Sequence, residues 1–257
     1  MSEEENSTLK IFLEMHRNCR FAPGSDSLTK RALLSANSVA ECALPSDVLD
    51  IGCGTGNSTA IIADMFPLAT VFAGDIEPDF VQRVRDRFAQ NPNVCVASMD
   101  MAHLDAFFQP ETLDLILCEA SVDNVGFGSA LTAWSQILRA GGVAIVSELC
   151  MYGSKSKMPE EAFEYWTEAK EDITTERQLR QVAVCSGYTV ISEFRVSPDE
   201  WAAYHHCLRG NIEKLKSRAL VTGDVARREV EKMEREMDMV ERHPECCGYT
   251  YFVLQKN

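Results

Sequence analysis

The segment that decides the fold reads VLDIGCGTGNS, from Val48 to Ser58. It is an apolar strand that runs directly into a turn containing Gly52, Gly54 and Gly56, and a helix is expected to follow. Glycine adopts backbone conformations that other residues avoid, and without a side chain it lets a ligand approach the main chain closely. The segment therefore predicts a nucleotide-type binding turn at the carboxyl end of a strand in an α/β sheet.

Strands and helices alternate along the chain after this segment, as they do in parallel β-α-β units. Apolar runs predict strands at residues 47–51, 70–75, 94–98, 113–118, 143–149, 188–196 and 248–255. Helical periodicity, capping residues and breaks at glycine or proline predict helices at residues 9–19, 26–42 (capped by Asp26 or Ser27), 58–66, 79–90, 129–138, 159–170, 175–186, 198–219 and 224–242. We therefore expect a Rossmann-like α/β fold.

The charge of the chain disfavours two classes of partner. Lys and Arg total 25 against 39 Asp and Glu, which gives a formal net charge of −14. Such a charge repels nucleic-acid phosphates and anionic lipid surfaces, so we expect neither nucleic acid nor membrane as a partner. Residues 1–8 lack the basic start and apolar run of a signal peptide, and no apolar stretch is long enough to span a bilayer. We expect a cytoplasmic monomer or homodimer.

Ten cysteines show no CxxC pair and no regular disulfide spacing. This pattern predicts free thiols in a reducing compartment. Two groups of histidine and cysteine, at residues 205–207 and 243–247, would suit zinc or another thiophilic ion if the fold brought them together. Their spacing matches no ligand template, and we therefore predict no metal site.

The run from Asp50 to Gly56, Asp-x-Gly-x-Gly-x-Gly, resembles the first motif of class I methyltransferases that use S-adenosylmethionine (SAM) and release S-adenosylhomocysteine (SAH). In that family the glycine turn lies against the methionine part of SAM and the Asp helps to orient it. A dinucleotide fingerprint would need its third glycine at Asn57, so the sequence argues against NAD. Residues 138–142, which read LRAGG, are similar to the family's turn before strand five.

The resemblance implies a seven-stranded class I methyltransferase sheet, mostly parallel with an antiparallel last strand, and N-terminal and C-terminal helical caps. No internal repeat or linker is visible, so we expect a single domain over residues 1–257. Within it we expect a SAM-binding core at residues 45–150 and N-terminal cover helices at residues 9–42. Acceptor-side helices with strand six follow at residues 151–247, and the last strand at residues 248–256.

The cofactor site is expected along the carboxyl ends of the first strands. Asp75 follows Gly56 by nineteen residues at the end of the second strand, where an acidic residue accepts hydrogen bonds from both ribose hydroxyls. The turn after the third strand is similar to the family's adenine-binding turn, which implies Asp100 as acceptor of the adenine amino proton and Met99 and Ile76 as apolar faces. The expected cofactor-binding residues are Asp50, Gly52, Cys53, Gly54, Gly56, Ser58, Asp75, Ile76, Met99, Asp100, Met101 and Glu119.

Catalytic groups are harder to assign, because methyl transfer is an in-line displacement in which positioning supplies most of the acceleration and a base is optional. Glu119 and Glu148 follow or end strands four and five, and are the best-placed carboxyl candidates. A helix cap or solvent contact is the alternative for Glu119, and a structural hydrogen bond is the alternative for Glu148. His206 is a third candidate, in helices that we expect to close over the acceptor together with aromatic residues such as Trp166. Ordinary packing is their alternative role.

A narrower resemblance, carried by residues 119–127, 146–148, 164–166 and 248–252, is to methyltransferases related to the ubiquinone and menaquinone (type 11) enzymes. We expect an enzyme that transfers the SAM methyl group to a small molecule. One alternative is a SAM-binding or SAH-binding regulatory or scaffold protein without turnover. Another is a different α/β nucleotide enzyme, such as a dehydrogenase. The motifs favour SAM over NAD, but they do not separate the enzyme from the regulatory protein.

Overall fold

The computed structural model describes residues 3–39, 44–218 and 220–257, and this part of the chain divides into two compact units. The sheet unit contains Ser25–Met151, Ile173–Arg195 and Tyr249–Asn257, apart from residues 40–43. The helical unit contains the described residues of Met1–Gly24, Tyr152–Asp172 and Val196–Gly248. The expectation of a single domain over residues 1–257 stays a prediction.

The strands of the sheet are β1 Asp47–Ile51, β2 Thr70–Asp75, β3 Val94–Ser98, β4 Leu113–Glu119, β5 Leu138–Met151, β6 Tyr188–Arg195 and β7 Cys247–Lys256. They form one seven-stranded sheet in the order β3-β2-β1-β4-β5-β7-β6. The pairs β1–β2, β1–β4, β2–β3 and β4–β5 are parallel, whereas β6 and β7 are antiparallel. The expected Rossmann-like sheet, mostly parallel with an antiparallel last strand, is confirmed.

The helices are α1 Glu3–Met15, α2 Asp26–Val39, α3 Asn57–Met65, α4 Pro78–Arg87, α5 Phe127–Ile137, α6 Glu160–Ala169, α7 Glu176–Cys185, α8 Pro198–Ser217 and α9 Gly223–Arg242. Helices α2 to α5 and α7 belong to the sheet unit, and the others belong to the helical unit. Central strands of a parallel sheet are apolar on both faces because helices cover both sides. Accordingly Val48, Leu49, Ile116 and Leu117 have no exposed surface.

Several element boundaries differ from the expectations, among them those of α1, α2 and β5. Helix α1 begins at Glu3, inside the acidic tail, and ends at Met15 rather than at residue 19. Helix α2 is capped by neither Asp26 nor Ser27, because Ser25 Oγ accepts the hydrogen bond from Leu28 N at 3.1 Å. Its predicted last residues, 40–42, lie outside the described part of the chain. Strand β5 already begins at Leu138, so the LRAGG run lies within a strand and does not precede it.

The helical unit contains a disulfide between Cys19, which follows α1, and Cys207 on α8. The prediction that all cysteines are free thiols is therefore wrong. The two residues are 188 positions apart, so no local spacing could indicate the bond. Other described cysteines are free, namely Cys53, Cys95, Cys118, Cys150, Cys185, Cys246 and Cys247. Cys42 lies outside the described residues.

Near this bond, His16 links α1 to α8. Its Nδ1 lies 2.8 Å from the Phe12 carbonyl oxygen and its Nε2 lies 2.9 Å from the Tyr204 hydroxyl. The carbonyl can only accept, so Nδ1–H donates and Nε2 accepts from Tyr204. Burial lowers the pKa of His16 to about 4.

Within the described residues, no helix combines the length and apolar character that a membrane crossing requires.

Candidate functional site

The glycine turn between β1 and α3 has a backbone that other residues would strain. Gly52, Gly54 and Gly56 have φ angles of 72°, 52° and 78°, all in the left-handed region that favours glycine. A Cβ atom on Gly52 would also lie 2.2 Å from Ser121 Oγ. Hydrogen bonds from Gly52 N to Gly74 O, and from Gly56 N to Cys53 O, hold the turn at 2.8 Å each. The turn is thus fixed in place against the strands beside β1.

Asp50 is on β1, two residues before Gly52, and only 1% of its surface is exposed. Its Oδ2 accepts a hydrogen bond of 2.5 Å from Thr59 Oγ1, in the first turn of α3. Burial raises the pKa of Asp50 to about 7, and the negative charges of Glu119 and Asp75 add to that rise. The three carboxyl groups therefore form one acidic cluster around the glycine turn.

Asp75 connects the end of β2 to the glycine turn. Its Oδ2 accepts from Gly54 N and its Oδ1 accepts from Glu77 N, both at 2.9 Å. A carboxylate offers about four lone pairs, so each oxygen keeps capacity for a further donor. Asp75 is 8% exposed, and it holds the turn while retaining acceptor capacity.

Glu119 ends β4 and is held by two hydroxyl groups. Thr29 Oγ1, from α2, donates to Oε1, and Ser58 Oγ, from α3, donates to Oε2, each at 2.6 Å. The next residue, Ala120, has a positive φ of 51°, and its N–H donates to Ser147 Oγ at 2.8 Å. A strained non-glycine residue of this kind is commonly found at functional sites.

The residues of the expected adenine turn are placed unequally. Met99 is 5% exposed, whereas Ile76 is 68% exposed. Asp100 is partly buried and its Oδ1 accepts from Ala102 N at 2.9 Å. The carbonyl oxygen of Met101 accepts from the indole of Trp134 at 3.2 Å. Backbone and side-chain hydrogen bonds thus order the turn after β3. Ile76, which follows β2, offers an exposed apolar side chain.

Other expected residues lie in the core of the sheet unit or in the helical unit. Cys53 is 7% exposed and packs with Ala73 and Val84, so its side chain belongs to the core. Glu148 lies buried on β5 with 4% exposure. His206 is exposed on α8 in the helical unit, whereas its neighbour His205 is 1% exposed and its Nε2 has no hydrogen-bond partner. The alternative that the 205–207 group joins the 243–247 group at a metal ion does not hold for Cys207, because the disulfide uses its sulfur.

Some residues at the site escaped the sequence analysis. Thr59, in the first turn of α3, donates a hydrogen bond to Asp50. Its position directly after the glycine motif and Ser58 was the sequence signal that could have identified it. Ser147, whose hydroxyl accepts a hydrogen bond from the strained Ala120, had entered only as part of the narrower resemblance. Thr29 gave no local signal, since it lies 90 residues from Glu119 in the chain.

Sequence relatives agree with this geometry. Residues 48–142 match a family model described as a methyltransferase domain. A malonyl-[acyl-carrier protein] O-methyltransferase from Acetivibrio thermocellus is 31% identical over 144 residues, which are 54% of this chain and 49% of the relative. A trans-aconitate 2-methyltransferase from Streptomyces coelicolor is 30% identical over 130 residues, 49% of this chain and 40% of the relative. The chain thus spans about half or less of the length of these curated relatives.

Solved structures share the fold over nearly the whole chain. A SAM-dependent methyltransferase from Thiobacillus denitrificans, in complex with S-adenosyl-L-homocysteine, has a TM-score of 0.74 at 18% identity, and the match covers 97% of this chain and 98% of that chain. The narrower resemblance to the quinone methyltransferases stays a prediction. Residues 48–142 are thus similar to a methyltransferase domain in sequence, and the sheet order and the glycine turn agree with that similarity.

Proposed function

We propose that the protein is a SAM-dependent methyltransferase that transfers the SAM methyl group to a small-molecule acceptor. One observation carries the proposal: Asp50, Asp75 and Glu119 form an acidic cluster at a turn of three left-handed glycines. SAM carries positive charge at its sulfonium and α-ammonium groups, which suits such a cluster. The methyltransferase names of the sequence relatives support the same activity.

The residues present fit SAM in their chemistry. Asp50 is buried with a pKa raised to about 7, so a cation placed nearby would stabilise its ionised form. Asp75 keeps lone pairs free on both oxygens, as hydrogen bonds from two ribose hydroxyls require. A nicotinamide dinucleotide brings a pyrophosphate, which three carboxyl groups would repel. The cluster therefore favours SAM over NAD.

Each acidic residue has its own part in the proposal. Asp75 fixes Gly54 and receives the ribose, Asp50 orients the methionine part of the ligand, and Glu119, held by Thr29 and Ser58, faces the cofactor. When bound, SAM supplies a methyl group activated by its sulfonium. A general base, where one is used, must come within about 3 Å of the acceptor's proton. Glu119, Glu148 and His206 remain the candidates for that base.

The remaining expected cofactor residues complete the proposed site. They are Gly52, Cys53, Gly56, Ser58, Ile76, Met99, Asp100 and Met101, with Ile76 and Met99 as the apolar contacts to adenine. We further propose that the protein works as a cytoplasmic monomer or homodimer. Its net charge of −14 disfavours nucleic-acid partners.

Calorimetry with SAM, SAH and NAD tests the cofactor. We expect SAM and SAH to bind with dissociation constants in the micromolar range and NAD not to bind. Binding of NAD without binding of SAM would contradict the proposal.

Turnover is tested by incubating the protein with methyl-labelled SAM and a metabolite extract from its native source. We expect mass spectrometry to find one product that has gained the labelled methyl group. Tight SAM and SAH binding without any labelled product would favour the alternative, a regulatory or scaffold protein that binds SAM or SAH without turnover.

A further inference from the structure

The segment after α9 brings three different metal-ligating groups together in the helical unit. The ligand atoms of His243, Glu245 and Cys246 all lie within 4.8 Å of one another. Cys246 N donates to the His243 carbonyl at 3.1 Å, so a backbone turn holds the group in shape. Cys246 is 5% exposed, His243 is half-buried and Glu245 is exposed. An ion could therefore enter from solvent and reach a sheltered sulfur.

A fourth residue, Glu161 on α6, orients the histidine. Glu161 Oε1 lies 2.7 Å from His243 Nε2, and its Oε2 accepts from Arg242 Nη1 at 2.5 Å. An ionised carboxylate only accepts hydrogen bonds, so Nε2–H of His243 donates and the free lone pair of the ring is at Nδ1. Metal-binding histidines commonly have this carboxylate partner on the nitrogen that faces away from the ion.

We propose that His243 Nδ1, Cys246 Sγ and the Glu245 carboxylate bind a divalent ion of the zinc type, with Glu161 as a positioning residue. Nitrogen, sulfur and carboxylate oxygen are the ligands that zinc takes in proteins, and a water completes a tetrahedron when the chain provides three. Bond lengths of about 2.0–2.3 Å place ligand atoms about 3.5 Å apart, so ion binding requires side-chain rotations that draw the three ligand atoms together.

Binding replaces the proton of the Cys246 thiol, which passes to solvent, and no oxidation or reduction is involved. The bound ion would connect His243, directly after α9, to Glu245 and Cys246, directly before β7. Because Glu161 is bonded to His243 and Arg242, it would also couple α6 to the same point. The sequence-based prediction of no metal site rested on the ligand spacing and on the frequent role of free cysteine as a core residue. Neither argument revealed Glu161 or Glu245 as partners.

Cobalt(II) is the sharpest probe, because a cobalt–thiolate bond produces a charge-transfer absorption in the near ultraviolet. We expect the full-length, metal-free protein to bind one Co²⁺ with this band, and Zn²⁺ to displace it. Cys246→Ser should abolish the band, and His243→Gln should weaken Zn²⁺ binding at least tenfold in a competition with a chromogenic chelator. Glu161→Ala should weaken it about 10- to 100-fold, the range for lost carboxylate partners of metal-bound histidines.

Cys95→Ser is the matched control, since Cys95 is an exposed free cysteine on β3. It should leave the band and the affinity unchanged. Circular dichroism of each variant separates lost binding from lost folding. If no band forms, or if the Cys246→Ser protein folds and binds Zn²⁺ like the parent, the site does not exist. Both outcomes are independent of SAM binding and of methyl transfer.

Discussion

Ser58 Oγ donates a hydrogen bond of 2.6 Å to Glu119 Oε2, which joins the first turn of α3 to the last residue of β4. The other oxygen of Glu119 is held by Thr29 at the same distance. Since α3 begins directly after the glycine turn, this pair of bonds fixes the position of the turn relative to β4. The carboxyl group of Glu119 is therefore oriented before any ligand arrives.

Replacing Glu119 by glutamine tests this orientation. The amide keeps the shape but loses the charge, and it has one acceptor oxygen where the carboxylate has two. We expect Glu119→Gln to weaken SAM about tenfold, because a hydrogen bond to a charged group contributes about 1.5 kcal/mol or more. Calorimetry measures the change. Asp64→Asn, an exposed position on α3, removes the same charge and should leave SAM affinity unchanged. If both variants weakened SAM binding equally, Glu119 would act only through its negative charge and not through its position.

Asp75 should contribute to both binding and folding. Its loss removes the acceptor for Gly54 N as well as the proposed ribose contacts. We expect Asp75→Ala to weaken SAM by about 1.5–3 kcal/mol, roughly 10- to 150-fold, and to lower the melting temperature. Asp75→Asn keeps an acceptor for Gly54 N. It should therefore preserve the melting temperature better than it preserves the affinity for SAM. An unchanged dissociation constant in both variants would remove Asp75 from the site.

The buried Asp50 predicts a pH dependence of stability. Its pKa is raised from 3.8 to about 7 by burial, so between these values the folded state binds more protons at this residue than the unfolded state. The free energy of unfolding should therefore fall as pH rises from about 4 to about 7, and the loss should be complete above that range. Asp50→Asn still accepts from Thr59 and should flatten the curve. Urea unfolding of both proteins at pH 5 and pH 8 checks this. If the unfolding free energy changed by the same amount between the two pH values in both proteins, the result would contradict the prediction.

The same group predicts a pH dependence of binding. At pH 6 most Asp50 is protonated, given its pKa of about 7. Binding of cationic SAM should then release a proton, and affinity should rise between pH 6 and pH 8. Calorimetry in buffers of different ionisation enthalpy counts the released protons. The Asp50→Asn protein should bind SAM more weakly and should release no proton on binding. If it released as many protons as the parent, the effect would belong to another group.

The disulfide should stabilise the fold. Closing a long loop reduces the entropy of the unfolded chain, and the expected contribution is about 2–5 kcal/mol. We expect Cys19→Ser and Cys207→Ser to lower the melting temperature by similar amounts, and the double variant to add little to either. Cys95→Ser, an exposed free cysteine, is the control. Mass spectrometry of unreduced peptides should identify the Cys19–Cys207 pair, and its absence would restore the free-thiol prediction.

Local patterns account for what the sequence predicted well. Strand β1, the glycine turn and α3 follow one another within nineteen residues, 47–65, so apolar residues and glycines mark each of them directly. Asp75 was found in the same way, at the end of a strand. The LRAGG run misled because Leu138 pairs with Leu113 on β4, and this tertiary pairing extends the strand through two glycines.

Contacts between distant residues account for what the sequence could not show. Thr29 meets Glu119 across 90 residues, and Cys19 meets Cys207 across 188. Such contacts depend on the path of the chain in three dimensions, whereas periodicity and spacing describe only neighbours. The acidic cluster could thus be located by its strand ends, whereas the Thr29 hydroxyl group that holds Glu119 could not.

The bond between Cys19 and Cys207 closes a covalent ring around residues 20–206, which include β1 to β6. A single proteolytic cut anywhere in that ring would leave both pieces of the chain attached to each other. Nicked molecules would then migrate at full mass on an unreduced gel and separate only after reduction. The site residues from Asp50 to Glu148 all lie inside the ring, so one broken peptide bond would not release any of them from the protein.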